Sequence, residues 1–457
     1  MKVLVYDSGG RGHALADKYG DSQHVDEVYF VPGNPGVLHT LKGKRGLIKC
    51  VNLTDFVAVA DFCFKNKVDL VDIGSENPLE EGLVDVLNKR GIRTIGPKRE
   101  YVRLESDREF TDNILREIGV AKPEYRVFDN PEKAKEYVRN IGYQVFVKAN
   151  GLAAGKGAIG CDNVMQAEDA IDKIMVEKIF GKSGDKVIIE ERKYGTEISF
   201  FVYLDGEHAL PLKMFVQDYK PAFDPDDKDS IEQFGGNINT GGMGGYCPHK
   251  LVTPWLVNRI IKEIVNPTVN AIYNRGDLGL GWNYKGVLYF GLNLDFYNNL
   301  DVFEINVRHG DPEWEVLARK LSTDLFEIGM AVWEGKLDQI NPVWNDQYYI
   351  DVVAVEGRSK ASKGGWNKGY PGRYGKSHKI TGLDYIEKDV ATYFAGVDED
   401  AVRGLVTYGG RVVHIVAGGP TLEGAREKGY GNIKLLAFED RNNKGVNCLR
   451  FRKTIGF

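Results

Sequence analysis

Phe303 to Glu315 reads FEINVRHGDPEWE, and how this stretch is taken decides the fold. Val302 to Val307 alternates apolar with polar residues, the period of a strand with one buried face. Glu304, Asn306 and Arg308 are therefore expected on one side. Two oxygen donors two residues apart on a strand suit Mg²⁺, a hard cation held by few protein oxygens together with water and substrate phosphates. The arginine next in the row offers a fork to a carboxylate or a phosphate. Beyond it His309 and Gly310 break the alternation, Asp311 is placed to cap a helix, and Pro312 suits the first helical position. In isolation the row would equally describe a surface strand with solvated charges, so the rest of the chain has to decide.

A second constellation lies upstream, in Val145 to Ile159, VFVKANGLAAGKGAI. An apolar strand delivers Lys148, and a glycine-rich turn of small residues ending in Lys156 leads into the next strand. Such a turn can close over a triphosphate, because it has little side-chain bulk and many free N–H groups while its lysines supply compact charge. It is not a P-loop: the G-x-x-x-x-G-K-[ST] pattern is absent and the next element reads as a strand.

The first hundred residues alternate strands with helices, which argues for a parallel α/β sheet. Strands are expected at Val3 to Tyr6, Val28 to Val31, Leu47 to Val51 and Leu70 to Ile73. Helices are expected at Ala14 to Tyr19, Thr54 to Lys65 and Leu79 to Lys89. Turns follow three of the strands: Gly9-Gly10, Gly33-Asn34-Pro35-Gly36, and Gly74-Ser75-Glu76-Asn77-Pro78. Loops at strand C-termini line the ligand crevice of such a sheet, and glycines there let backbone approach an anion.

Long helical patterns run from Tyr101 to Ile118, Gln166 to Lys178 and Val257 to Tyr273. Lys186 to Glu191 is an apolar strand ending in two carboxylates. Gln217-Asp218-Tyr219-Lys220 precedes an acidic, proline-bearing loop that runs to Asn239. Asn239 to Tyr246, NTGGMGGY, is poor helix or strand material and reads as backbone held close to a small ligand. A linker at about Gly335 to Asn345 leads to short strands and glycine turns with few clustered polar residues, the pattern of a structural domain.

A chain of 457 residues is too long for one ordinary core, so roughly two to four domains are expected. With 42% hydrophobic and 27% charged residues and a net charge of -5, it has no overall attraction to nucleic acid or to an anionic membrane. The five cysteines are dispersed and never in C-x-x-C spacing, and a reduced cytoplasmic protein without structural zinc is the simplest account. The opening MKVLVYD is a strand and not a signal peptide, and no segment approaches the roughly 20 apolar residues of a membrane span.

In their order along the chain, the blocks GGR-H, GLAAGKG, IEE, NTGGMG and NVR-GDPE resemble the phosphoribosylamine-glycine ligase (glycinamide ribonucleotide synthetase) family of the ATP-grasp superfamily. The match departs at several positions. Asp7 replaces a glycine, Gly12 a glutamate, Ser75 a proline, Asn150 an aspartate, Tyr219 a histidine and His309 a phenylalanine. Trp314 stands for a threonine, and Arg108 for a lysine that contacts nucleotide phosphate. The resemblance implies a multidomain α/β and α+β architecture. A parallel α/β domain would span 1–103 and an ATP-grasp domain 104–340, with its lid at about 123–192. A small mixed domain would follow at 341–457.

The same resemblance implies roles for individual residues. Arg108, Lys148 and Lys156 would neutralise ATP phosphates; Glu190 and Arg192 would lie at the adenine and Glu197 at the ribose. Glu304 and Asn306 would hold Mg²⁺ or Mn²⁺. Arg308 would orient a glycine carboxylate or the transferring phosphoryl group, and Asp311 would place the incoming amine. Gly9, Gly10, Asn34 and Glu76 would handle 5-phosphoribosylamine, with Asp218, Lys220, Gly241, Gly242 and Met243 also at substrate. His309 would pack where the family's phenyl ring does. The implied activity joins glycine to 5-phosphoribosylamine in a cytoplasmic monomer or weak homodimer. Two alternatives remain at this point: an ATP-grasp ligase of another substrate pair, motivated by Gly12, Tyr219 and His309, and a catalytically silent nucleotide-binding module.

Overall fold

The computed structural model describes residues 1–40, 46–152, 157–362 and 364–457. Among these residues the chain opens with a five-stranded parallel sheet, in the order Leu47–Cys50, Glu27–Pro32, Lys2–Asp7, Leu70–Ile73, Thr94–Ile95. Its central strand is buried on both faces, as a parallel sheet covered by helices requires. Val3 and Val5 enter one apolar cluster, while Leu4 and Tyr6 enter another. The strand order reverses on either side of Lys2–Asp7, so the loops after Asp7 and Ile73 flank the crevice where such sheets bind ligands.

A separate antiparallel sheet is built from Tyr125–Phe128, Val187–Glu191, Val145–Ala149 and Ala158–Cys161. Helices Pro131–Asn140 and Val164–Ile171 back it, each started by an asparagine, Asn130 or Asn163, whose side chain accepts from a first-turn N–H. Ala134, Val138, Ala170 and Ile171 pack there on Val147, Val187 and Ile189, giving this lobe its own core.

Among the described residues the largest sheet has nine strands, one of them, Leu449–Arg450, off the main path, which runs from Leu300–Asn306 through Gly286–Leu294, Thr196–Leu204 and Ala209–Asp218 to the short strand Gly244–Cys247. That short strand pairs with Gln217 and Asp218 on one side and with Tyr348–Glu356 on the other, so the NTGGMG segment joins the ATP-grasp-like strands to the carboxy-terminal ones. Arg411–Gly419 and Ala391–Phe394 complete the path, and helix Leu422–Ile433 packs on it. Beside it stands a four-stranded sheet of Val397–Asp400, Gly404–Thr407, Lys379–Thr381 and Ala437–Glu439.

Several expected elements differ for local reasons. The helix expected over Tyr101 to Ile118 is two helices, Arg99–Ser106 and Arg108–Glu117. Asp107 is extended between them and caps the second by accepting from the Phe110 N–H at 3.2 Å. The helix expected over Leu79 to Lys89 breaks at Gly82, whose φ of 90° is left-handed. Gln166 to Lys178 and Val257 to Tyr273 each contain a π turn, at Asp172–Val176 and Ile261–Val265. The acidic loop before Asn239 holds a helix, Lys228–Phe234, capped by Asp227.

The expected cap at Asp311 is corrected as well. The helix begins at Glu313, one residue past the expected start, with no side-chain cap, and the Asp311 carboxylate instead lies 2.9 Å from Arg411 Nη1. An ion pair with a half-buried guanidinium outcompetes a capping bond to a neutral N–H. Among the described residues no helix is long and apolar enough to cross a membrane.

Candidate active site

One cleft gathers residues from every part of the chain, from Arg11 and Glu76 through Lys148, Lys220 and Glu304 to Arg411. Strand Leu300–Asn306 forms its floor. A bulge sets the register there: Gly291 faces Glu304 and Leu292 faces Val302, leaving Phe303 as the extra residue. Glu304, Asn306 and Arg308 all line the cleft, as the alternation predicts.

Each of these side chains is held. Glu304 Oε1 accepts from Lys220 Nζ at 3.0 Å, and its other oxygen lies 3.6 Å from Arg108. Burial would raise the Glu304 carboxyl, but Lys220 and Arg108 override it and hold the group ionised well below the usual carboxylate range. Lys220 also lies 3.5 Å from Glu197. Arg308 reaches Glu105 at 3.0 Å, Glu76 at 3.4 Å and Asn306 Oδ1 at 3.2 Å. Arg11 approaches Glu76 from the other side at 3.4 Å and is itself held by Asp7 at 3.1 Å. Burial alone would raise Glu76, yet Arg308 and Arg11 bring it down to about 2. One buried and one half-buried guanidinium, Arg11 and Arg308, thus face one cleft, fixed by carboxylates behind them.

On the opposite wall Glu190 is buried between Lys148 and Lys122, the latter at 3.2 Å. Burial lowers the Lys148 ammonium, and Arg108 and Lys122 add to this against the attraction of Glu190. An anion entering here would relieve that crowding of positive charge. At the far end Arg411 donates to Gly241 O at 2.9 Å and to Asp311 O at 3.2 Å besides pairing with the Asp311 carboxylate.

The cleft therefore brings together Glu76, Arg108, Lys148, Glu190, Glu197, Asp218, Lys220, Gly241, Glu304, Asn306, Arg308 and Asp311 of the residues expected from sequence. Gly9 and Gly10 stand just behind it at the start of helix Gly10–Gly20, where a Cβ on Gly9 would approach Asp311 and one on Gly10 would strike His414 and Glu315. Three side chains expected at the site are used elsewhere. Asn34 donates to Ser8 O and Phe394 O, both at 2.9 Å. Arg192 pairs with Asp162 at 2.6 Å. Met243 lies in an apolar cluster with Val353, Val355 and Tyr370, and Gly242 packs on Pro312. Lys156 lies outside the described residues.

Models of the phosphoribosylglycinamide synthetase N domain, ATP-grasp (A) domain and C domain match residues 1–105, 106–314 and 366–456 in turn. A phosphoribosylamine-glycine ligase of Archaeoglobus fulgidus is 38% identical, with 100% of this chain and 99% of the relative covered. The chain belongs to the phosphoribosylglycinamide synthetase family. An Escherichia coli O157:H7 phosphoribosylamine-glycine ligase is 36% identical over 96% of both chains. The crystal structure of the phosphoribosylamine-glycine ligase of Thermotoga maritima superposes with a TM-score of 0.77 at 26% identity, covering 100% of each chain. A biotin carboxylase of Campylobacter jejuni, at a TM-score of 0.66 and 16% identity, shares the fold. The architecture is thus an ATP-grasp fold behind a parallel α/β domain, as the motifs imply.

Within the synthetase family framework, the residues that sequence reasoning missed are the partners. Arg11, Glu105, Lys122 and Arg411 carry no spacing signal of their own, because each acts on a group far away in the chain. Arg11 stood in the quoted GGR-H block and could have been found there. Arg411 could not, since Gly409-Gly410-Arg411-Val412-Val413 reads as one glycine turn among several in a structural domain. His309, where the synthetase family has phenylalanine, packs on Trp314 with ring centroids 4.3 Å apart and bonds Tyr203 Oη through Nε2 at 2.8 Å. Burial, with Arg11 and Arg308 nearby, keeps it neutral far below the usual histidine range, so it fills the space of the phenyl ring and does not titrate near neutrality.

Proposed function

We propose that this chain ligates glycine to 5-phosphoribosylamine at the expense of ATP, giving glycinamide ribonucleotide, ADP and phosphate in de novo purine biosynthesis. The observation that carries this reading is the convergence of Glu304, Asn306 and Arg308 with Arg108 and Lys148 on one cleft, in a chain related along its length to phosphoribosylamine-glycine ligases.

A carboxylate is a poor acyl donor at neutral pH, so activation must precede amide formation. In the proposed route a glycine carboxylate oxygen attacks the γ-phosphorus of ATP, ADP departs, and glycyl phosphate forms. The amine of phosphoribosylamine then attacks the carbonyl carbon, the C–O bond to phosphate breaks, and the amine releases a proton. Phosphoryl transfer chiefly requires positioning and charge neutralisation. Lys148 and Arg108 neutralise phosphate oxygens, with Lys156 added from the glycine-rich turn. Arg308, fixed by Glu76 and Glu105, orients the glycine carboxylate. Asp311, fixed by Arg411, positions the incoming amine, and Gly9, Gly10, Arg11 and Glu76 serve its ribose phosphate.

The adenine is assigned to the backbone at Glu190 to Arg192, which is compatible with the Arg192 side chain pairing elsewhere, and the ribose to Glu197. Asp218, Lys220 and the Gly241-Gly242-Met243 backbone complete the substrate surroundings, while Asn34 holds Ser8 and Phe394 in place behind them. Glu304 and Asn306, adjacent oxygen donors on one strand, fit Mg²⁺ or Mn²⁺, with Lys220 holding the same carboxylate. The ion supplies positive charge to the ATP phosphates. The division at about 103 and 340, a cytoplasmic location and a monomer or weak homodimer belong to the same reading. ADP release by the purified protein with ATP, glycine and phosphoribosylamine tests it. ADP release only with another carboxylate and amine would select a different ligase.

A further inference from the structure

Away from the cleft, strand ends of the carboxy-terminal portion bring a histidine, an aspartate and a cysteine together. His378 precedes strand Lys379–Thr381, Asp440 follows Ala437–Glu439 and Cys448 precedes Leu449–Arg450. They are 1%, 4% and 2% exposed. Their nitrogen, oxygen and sulfur atoms all lie within 4.8 Å of one another, with 3.8 Å between His378 Nε2 and Asp440 Oδ1. A tetrahedral ion with ligands at about 2.0–2.3 Å keeps neighbouring ligand atoms roughly 3.3–3.8 Å apart, so little movement would close this set on one centre.

The surroundings match the outer shell of a metal. His378 Nδ1 lies 3.0 Å from Oε2 of Glu356, which is 0% exposed. A proton shared between them leaves Nε2 with a lone pair on the side of Asp440, the carboxylate-histidine arrangement that orients metal-bound imidazoles. Asp440 is held in turn, accepting from the Lys360 and Asn442 N–H groups at 2.8 Å each. Gly375 backbone fixes the ring edge, since a Cβ there would fall 2.5 Å from Cε1 and 2.9 Å from Nε2. The other Glu356 oxygen has no hydrogen-bond partner. Two buried carboxylates thus stand around a single buried imidazole. A divalent cation would offset the charge, take the lone pair and displace the thiol proton to solvent.

We propose that His378, Asp440 and Cys448 bind a zinc ion, with Glu356 orienting His378 from behind. A mixed nitrogen, oxygen and sulfur donor set selects zinc over Mg²⁺ or Ca²⁺, which prefer oxygen alone. Cysteine spacing could not reveal this site, because its ligands come from separate strands.

The full-length protein, stripped with a chelator and titrated with Co²⁺ in the absence of nucleotide, tests it. A single tight site with a thiolate-to-cobalt charge-transfer band in the near ultraviolet is expected, displaced stoichiometrically by Zn²⁺. Cys448→Ser should abolish the band. Glu356→Gln should keep it and weaken zinc binding about 10–100-fold, the usual cost of losing such a partner. Absence of the band in the wild-type protein, or its persistence in Cys448→Ser, overturns the proposal. The wild-type titration decides the matter even where a variant fails to fold.

Discussion

Lys220 Nζ lies 3.0 Å from Glu304 Oε1, so the carboxylate assigned to the metal is already engaged by a cation. With Arg108 on its other oxygen at 3.6 Å, Glu304 stays ionised across the whole physiological range. Glu304→Gln keeps the shape and removes the charge. We expect kcat at saturating ATP to fall about 10²–10³-fold, the usual loss when one preorganised electrostatic contact is removed, with a higher Mg²⁺ concentration at half-maximal rate. A Mg²⁺ titration of ADP release checks this, and unchanged metal-dependent turnover would revive the silent-module alternative.

Arg411 tests whether the carboxy-terminal portion takes part in chemistry. Its guanidinium ties Asp311 to the Gly241 carbonyl across three separate stretches of chain. Charge-assisted hydrogen bonds of this kind are worth about 1.5–3 kcal/mol. Arg411→Gln should therefore lower kcat/KM for phosphoribosylamine roughly 10–150-fold. ATP half-saturation should move little, because Arg411 contacts Gly241 and Asp311 and none of the residues assigned to ATP. An equal loss for ATP would show that the substitution disturbs the whole cleft.

These two residues also mark what sequence reveals and what it hides. Glu304, Asn306 and Arg308 were legible because a strand's period of two turns spacing into geometry without help from elsewhere. The Phe303 bulge was not, since the extra residue is defined only against Gly291 on the partner strand. Most of the first sheet was legible because three of its strands are apolar runs closed by a glycine turn, whereas Thr94–Ile95 is only two residues long and carries no such pattern. Asp311 was misread because an acidic residue before Pro-Glu looks like a cap until Arg411 is folded onto it. Arg411 itself stayed hidden in a glycine turn of a domain with few clustered polar residues. Its strand, Arg411–Gly419, pairs with Tyr348–Glu356, which in turn pairs with Gly244–Cys247 beside the cleft.

The order of bond making is open to an isotope experiment. If the glycine carboxylate attacks ATP, one carboxylate oxygen must leave with phosphate. Glycine labelled with ¹⁸O in its carboxylate should then deliver label to inorganic phosphate, mole for mole with glycinamide ribonucleotide. Mass spectrometry of the phosphate reads this directly. Unlabelled phosphate, alongside product, would rule out glycyl phosphate while leaving the ligase assignment standing.

A buried acid stands outside the cleft, on the central part of the first sheet. Asp72 is 0% exposed, accepts from Tyr19 Oη at 2.8 Å and leaves Oδ1 without a partner. Burial pushes its carboxyl up to about 7, the Tyr19 bond opposing and Asp7 adding to the rise. In the unfolded chain the same group titrates near about 3.9. Below that pH both states hold the proton and the fold carries no penalty. Between about pH 4 and pH 7 the unfolded chain releases a proton that the native state keeps, so stability falls as pH rises, by up to about 1.4 kcal/mol per unit, and levels off above the native value. Asp72→Asn retains an acceptor for Tyr19 and cannot ionise. Its advantage over the wild-type protein in urea unfolding should be larger at pH 8 than at pH 5 by roughly 2–3 kcal/mol. Equal advantages at the two pH values would mean that Asp72 is ionised in the native protein throughout this range.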